Sequence, residues 1–195
     1  MIYLLGSGKH FGVVENSLKR LKIKFKNISK SNKNLSDEEI EKKIRKLKDK
    51  IYLHVSIGDN KIRKKVFNFL KEKNYKFKSI IDPTSIISKN SNIKKGVYVG
   101  PGVIINNNTF INENSIINTG SIIEHDTKIG SNSHIAPGAK ILGSVSIGEN
   151  CFIGSGTVVN NNLIITKNCS VGSGSVVVKN IKIKGTYIGI PAKKL

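Results

Sequence analysis

Glu124, His125 and Asp126 stand together in SIIEHDTKIG, in surroundings otherwise written in Ile, Val, Ser, Gly and Asn. A neutral imidazole, with an ordinary pKa near 6.5, can take a proton from an amine or hydroxyl nucleophile. A neighbouring carboxylate can orient the ring and stabilise the cation that forms. The triplet therefore suggests base-assisted acyl transfer. Glu124 and Asp126 flank His125 and either could serve, with alternation along the chain favouring Asp126. The plain alternative is a solvated corner that happens to hold a histidine.

The element that must position this triplet is a repeat. From Ile87 to Ile183, every sixth residue, 17 in all, is Ile or Val. The residue two before each is usually small, as at Thr109, Ser115, Ser121, Thr127, Ser133 and Ala139, and the residue after is often Gly or Asn. Gly and Asn adopt left-handed backbone at low cost, so each hexad reads as a short strand, an inward aliphatic and a corner. Gly102, Gly120, Gly138, Gly156 and Gly174 recur every 18 residues, three sides of six. The chain is expected to wind as a triangular parallel β-helix. A period of six excludes an amphipathic helix.

One coil before the triplet stands Asn106-Asn107-Asn108. Leu142-Gly143-Ser144 follows one coil later, then Asn160-Asn161-Asn162. Asn suits a corner, so the ionisable residues replace a comfortable default, and Gly143 next to His125 leaves backbone N–H open to a ligand. His134 precedes inward Ile135 and should point outward, to a ligand or a neighbouring subunit. His54, inside the apolar run IYLHVSIG, reads as a core residue. The prism offers only two histidines and no clustered third ligand, which argues against zinc. Cys151 and Cys169 differ by one coil and should point in parallel, as core residues and not as a disulfide.

Residues 1–84 read as a small α/β domain, and 85–195 as the β-helix with a C-terminal tail. Strands are expected at Ile2–Leu5, Ile23–Ile28, Ile51–Ile57 and Phe77–Ile81. Helices are expected at Lys9–Leu21, after an N-cap at Ser36 with Ile40, Ile44 and Leu47 on one face, and at Asn60–Lys73. Alternation of strand and helix implies a parallel sheet, with ligands at the strand ends GSGKH and SIGDN. The first is a partial match to GxGxxG, because Phe11 stands where the third Gly belongs.

The formal charge is +20, and residues 1–84 carry 22 of the 33 basic and 9 of the 13 acidic residues. Only Arg20, Arg45 and Arg63 are arginine, whereas base and phosphate recognition in nucleic acids favours the bidentate guanidinium. IEKKIRKLKDK and KIRKKVF read as solvated helix faces. A small polyanion such as a nucleotide or coenzyme A suits the charge better than nucleic acid. No stretch approaches a membrane span, and MIYLLGSGKH lacks the form of a signal peptide, so a cytoplasmic protein with reduced thiols is expected.

NTGSIIEHDTKIGSNSHIAPGAKILGSVSIGENCFIGSGTVV and the closing YIGIPAKKL, with the LxGSGxH turn and SIGDNKIRKKV, resemble the sugar acetyltransferases of the NeuD and PglD type. These include sialic acid O-acetyltransferases and N-acetyltransferases of UDP-4-amino sugars. The resemblance implies a Rossmann-like domain followed by a left-handed β-helix, a homotrimer, and an acetyl-CoA site between adjacent prisms, with no metal. It makes His125 the general base and Asp126 its carboxylate partner, and gives Asn118 and His134 a part in positioning substrate and acetyl-CoA. Gly143 would present an N–H to the thioester carbonyl. Gly189, Pro191, Ala192 and Lys193 would line the coenzyme site, and Gly6, Gly8, His10, Gly58 and Asn60 would hold the nucleotide. Two departures touch the nucleotide contacts: Lys9 and Phe11 disturb the tighter family turn, and KNISKSNKN holds no acidic pair after the second strand.

The resulting expectation is N-acetylation of a UDP-4-amino-4,6-dideoxy sugar of the bacillosamine type, for a surface glycan. The competing readings are O-acetylation of a sialic acid, N-acetylation of another amino sugar of the perosamine type, and a non-catalytic structural or binding prism.

Overall fold

The computed structural model describes residues 1–28, 36–47 and 51–195. Its first part is a three-stranded parallel sheet of β1 (Ile2–Leu5), β2 (Phe25–Asn27) and β3 (Tyr52–Val55), in the order β2-β1-β3. Helices α1 (Lys9–Arg20), α2 (Asp37–Arg45) and α3 (Asn60–Glu72) alternate with the strands. Ser36 caps α2 in a reciprocal capping box with Glu39, and Asp59 caps α3 by accepting from the Ile62 N–H at 2.8 Å, so both helix starts are fixed by short polar side chains. Ile40 and Ile44 pack with Tyr3, Leu5, Leu53, Val66 and Leu70 in a buried cluster.

The strand expected at Phe77–Ile81 is divided. Phe77 makes one parallel bridge to Leu53, whereas Ile80–Ile81 pairs with Tyr98–Val99 as the lowest rung of the β-helix. The corner residues Lys78 and Ser79 turn the chain between the two, and the Lys78 carbonyl is taken by His54 Nδ1 at 3.0 Å.

The β-helix has three parallel faces. The first face carries Tyr98–Val99, Ile116–Ile117, His134–Ile135, Phe152–Ile153 and Cys169–Val171 above Ile80–Ile81. The second runs from Ile86–Ile87 through Ile104–Ile105, Ile122–Ile123, Lys140–Ile141 and Val158–Val159 to Val176–Val177. The third runs from Asn92–Ile93 through Phe110–Ile111, Lys128–Ile129 and Ser146–Ile147 to Ile164–Ile165. Every rung pairs with the one 18 residues on, as in Ile117↔Ile135 and Ile123↔Ile141. The inward Ile and Val residues fill one continuous core from Val97 to Ile181, each contributing roughly 1.5–3 kcal/mol as an upper figure.

The period fails at the end. Ile165 bridges to Ile181 and Cys169 pairs with Gly185, a spacing of 16. The last coil is two residues short, so Ile181 enters the core and Ile183, expected there, is 61% exposed. Cys151 and Cys169 are free buried thiols, as expected of core residues.

The three corners differ in composition. Gly102, Gly120, Gly138, Gly156 and Gly174 hold positive φ between the first and second faces. Asn114, Asn132, Asn150 and Asn168 do so between the third and first, and their amides form a ladder with N···O distances of 2.8, 2.9 and 2.8 Å. Between the second and third faces the column reads Asn108, Asp126, Ser144, Asn162.

The α/β part docks on the first face. Ile2, Leu4, Val14 and Leu18 pack against Ile80, Tyr98 and Ile116. Asp82 accepts from Ser17 Oγ at 2.6 Å, Arg20 Nε at 2.9 Å and Thr84 Oγ1 at 2.7 Å, and pairs with the Arg20 guanidinium. The KIRKKVF face is not wholly solvated, because Arg63 is 1% exposed. It donates to the carbonyls of Asn114 (2.9 Å), Gly58 (3.0 Å) and Asn132 (3.0 Å) and to Asn60 Oδ1 (2.7 Å), pinning α3 to the β-helix.

Candidate active site

The second corner column follows the same geometry as the asparagine ladder. Asn108 Nδ2 donates to Asp126 Oδ1 at 3.2 Å, as one asparagine donates to the next elsewhere. Where an asparagine would carry its amide nitrogen, Asp126 carries Oδ2, and this oxygen lies 2.8 Å from His125 Nδ1. One change of residue type at a left-handed corner, φ 58°, thus turns a structural ladder into a dyad. The bond from His125 and then the one from Asn108 hold the Asp126 carboxyl below the usual carboxylate range. An ionised carboxylate only accepts, so Nδ1 carries the ring proton and Nε2 presents its lone pair.

Glu124 is turned elsewhere: its Oε2 accepts from Asn106 Nδ2 at 2.9 Å. The choice left open by the sequence therefore falls to Asp126. Gly143 lies against the ring, since a Cβ there would stand 2.7 Å from both His125 Cε1 and Nε2. The Ser144 N–H donates to the His125 carbonyl at 2.9 Å, which ties the two corners together. Both dyad side chains are half exposed, so the ring is open to a substrate.

A second cluster forms where the strand ends of the α/β part meet the first face. Gly6 has φ 138° and a Cβ would stand 2.6 Å from the Ser56 carbonyl oxygen, so close approach of β1 and β3 demands glycine there. Gly8 caps α1 with open space around it and no acidic residue in the first turn, which leaves the helix N-terminus available to an anion. His10 touches Gly58 and lies edge-on to Tyr98 at 5.2 Å between centroids. His134 lies 6.3 Å from His10 and 5.3 Å from Phe152, and its Nε2 is 3.1 Å from Asn118 Nδ2. His134 points outward from the prism, yet it is buried beneath the α/β part.

Burial pushes His10 down to about 3 and both His54 and His134 down to about 4. The neighbouring Arg63 charge adds to the effect at each, and at His10 the other two imidazoles add more. All three are neutral at neutral pH. His54 is a core residue as expected, but its Nε2 has no partner among the described residues. Asn60 is a joint: its Nδ2 donates to the Cys151 carbonyl at 3.0 Å and its own carbonyl accepts from Asn132.

The C-terminal residues close the top of the β-helix. The Gly189 N–H donates to Ser175 Oγ at 3.1 Å, and the Ala192 N–H to the Val176 carbonyl at 2.8 Å. The Ile190-Pro191 bond is cis, and Lys193 pairs with Ile188 in a short antiparallel rung. Pro191 and Lys193 are exposed.

Within one chain, then, His125, Asp126 and Gly143 come together, and so do His10, Gly58, His134 and Asn118. The dyad sits on the edge between the second and third faces, and the histidine cluster lies on the first face, across the prism. Of the sequence departures, Phe11 packs beside the Val14 and Leu18 cluster. Residues 29–34 of the KNISKSNKN segment lie outside the described residues. Among the described residues no group of three His, Cys, Asp or Glu is gathered for a metal, and no helix is long and apolar enough to cross a membrane.

A profile of the bacterial transferase hexapeptide family (six repeats) matches residues 108–143 and 144–179. Those residues carry the hexapeptide repeat of that family. Among solved structures it is similar to the GDP-perosamine N-acetyltransferase PerB of Caulobacter crescentus, a structure holding CoA and GDP-perosamine. The two share 28% identity over 100% of this chain and 96% of that one, with a TM-score of 0.88. The acetyltransferase domain of PglB from Neisseria gonorrhoeae (23%, 100% and 98%, TM-score 0.87) and WeeI from Acinetobacter baumannii (24%, 100% and 99%, TM-score 0.84) share the fold. A search of curated proteins by sequence finds no match. The likeness to PerB spans the α/β part as well as the β-helix, in keeping with a sugar acetyltransferase of the NeuD and PglD kind.

Arg63, Asn106, Asn108 and Tyr98 take part in or beside these clusters and were not marked by the sequence. A single arginine among the lysines of KIRKKVF was the one available signal for Arg63, since its planar fork of five donors can serve more fixed acceptors than an ammonium can.

Proposed function

We propose that the chain transfers the acetyl group of acetyl-CoA to the amine of a nucleotide-linked 4-amino-4,6-dideoxy sugar, UDP-linked and of the bacillosamine type, with His125 as general base. The observation that carries this reading is the dyad itself: His125 Nδ1 bonded to Asp126 at 2.8 Å, with Nε2 free and the ring seated on Gly143. The amine attacks the thioester carbonyl carbon while Nε2 takes its proton, and Asp126 stabilises the imidazolium. Collapse of the tetrahedral intermediate breaks the C–S bond, and the proton leaves with the coenzyme thiol. The Gly143 N–H stabilises the oxyanion. Gly6, Gly8, His10, Gly58, Asn60 and Asn118 hold the nucleotide sugar. His134, Gly189, Pro191, Ala192 and Lys193 serve the coenzyme.

A homotrimer is part of the proposal. The dyad and the histidine cluster lie on opposite sides of one prism, so an acceptor held at the cluster reaches a dyad only on a neighbouring copy. The second face offers the contact: its outward residues Ile86, Ile104, Ile122, Val158 and Val176 form an apolar column broken only by Lys140. Sedimentation at micromolar concentration should give three times the chain mass.

A perosamine-type acceptor is the second reading, favoured by the 28% identity to the Caulobacter enzyme over the whole chain. Coenzyme A release, followed with a thiol reagent, tests both against a UDP-4-amino-4,6-dideoxy sugar, GDP-perosamine and free sialic acid. Turnover with the UDP sugar alone supports the first reading and turnover with GDP-perosamine alone the second. Turnover only with sialic acid overturns both, and full turnover by His125→Ala removes the base.

A further inference from the structure

We propose that Asn106 and Asn108 are positioning residues of this site: from the coil below, they hold the two carboxylates flanking His125 apart, so that Asp126 alone serves the ring. This rests on the reading of His125 as the base.

The two bonds run in parallel from one coil to the next. Asn106 Nδ2 reaches Glu124 Oε2 at 2.9 Å and Asn108 Nδ2 reaches Asp126 Oδ1 at 3.2 Å. In the ladder from Asn114 to Asn168 the two middle amides, Asn132 and Asn150, each accept from the coil below and donate to the coil above, and the chain of bonds runs on. At Asp126 it stops, because a carboxylate has no hydrogen to pass upward. Its second oxygen is instead free for His125 Nδ1.

Without the tethers, two carboxylates of like charge, two residues apart, would compete for the same Nδ1. The ring would then be divided between orientations, and the Nε2 lone pair would lose its fixed direction. Donation by Asn106 fixes Glu124 along the second face. Donation by Asn108 fixes the plane of the Asp126 carboxyl and favours its ionised form, the second of the causes that hold that group low. The run Asn106-Asn107-Asn108 is thus more than corner filler.

Carboxyl carbon NMR of the 195-residue chain tests this together with kinetics. Asn108 has φ 55°, so Asn108→Gly removes the amide without backbone strain, and Asn108→Asp replaces a donor by a charge. The Asp126 carboxyl should titrate higher in Asn108→Gly than in the wild type, and higher again in Asn108→Asp. For Asn108→Gly, kcat should fall roughly three- to ten-fold, the scale of one exposed charge-assisted hydrogen bond, with KM for both substrates within about two-fold.

For Asn106 the test is restoration. Asn106→Ala in an Asp126→Asn background should regain at least about three-fold of the lost kcat, as a released Glu124 takes up the ring at the scale of one hydrogen bond. An Asp126 titration unmoved by both Asn108 variants, or moved with kcat unchanged, overturns the role of Asn108. Absence of restoration overturns that of Asn106. The titration keeps its meaning in a protein that transfers no acetyl group, so failure of the tethers and failure of the acyl-transfer reading are told apart.

Discussion

Gly143→Ala separates catalysis from stability more cleanly than removal of His125 does. A Cβ at this position would stand 2.7 Å from His125 Cε1 and Nε2 and 3.3 Å from Nδ1. Carbon contacts settle at about 3.5–4.0 Å, so the ring must retreat by roughly 1 Å. The backbone next to it cannot give way, because the Ser144 N–H is bonded to the His125 carbonyl at 2.9 Å. A half-exposed side chain can move, and the cost falls on the 2.8 Å bond to Asp126 and on the aim of Nε2. A misplacement of about 1 Å costs on the order of 100-fold in rate. Stability should hardly change, because Gly143 has no positive φ and alanine at a compatible site alters folding by at most about 1 kcal/mol. For a chain of this size that is roughly 2–4 °C in Tm. The assay is coenzyme A release beside a thermal melt. A kcat within three-fold of wild type would refute the seating of the ring on Gly143, while a collapse in Tm would mean that the corner, not the dyad, had been disturbed.

The remaining predictions concern charge and burial. Asp126→Asn restores the residue type of the asparagine ladder, so Tm should hold or rise while kcat falls by roughly 100- to 10,000-fold, the scale of an orienting carboxylate lost. Burial pushes the Asp82 carboxyl up, but bonds from Arg20, Ser17 and Thr84 outweigh it and leave it at about 2. A folded pKa below the ordinary value gives stability present above about pH 4 and lost as pH falls through about 2, worth about 2 kcal/mol. Urea midpoints should fall across that window in the wild type and fall less steeply in Asp82→Asn. His10, His54 and His134 are likewise depressed, so stability is full above about pH 6.5 and declines toward pH 4, by up to about 1.4 kcal/mol per pH unit for each proton. Replacing His54 by Gln should shrink the decline in that higher window and leave the lower one intact.

The parts of this protein that repeat were legible because each residue there answers to one requirement. An inward Ile or Val every six residues and a left-handed corner every 18 leave one winding open, and the second α-helix announced itself through the Ser36 N-cap and the apolar face of Ile40, Ile44 and Leu47. Legibility ended where a requirement was met once. The two-residue shortening after Val177 carries no mark of its own, and so Ile183 looked like a core residue while Ile181 took its place. Arg63 looked like one more cation on a solvated helix, because nothing local says that six oxygens from three segments converge on it.

The dyad marks the boundary between the two cases. Its location could be read, since a histidine in an asparagine corner departs from the repeat. Its pairing could be read only as a preference, because both carboxylates flank His125 and alternation along the chain favoured Asp126 without deciding between them, whereas the coil below offers each a different partner. Asp126 stands at the left-handed position of the corner, where the ladder geometry turns one carboxylate oxygen toward Asn108 and the other toward His125. Glu124 stands two residues earlier, on the flank of the second face, within reach of Asn106. The partner of the proposed base is therefore chosen by register between coils, a long-range property of the prism, and the same register that keeps Ile and Val inward keeps Asp126 on His125.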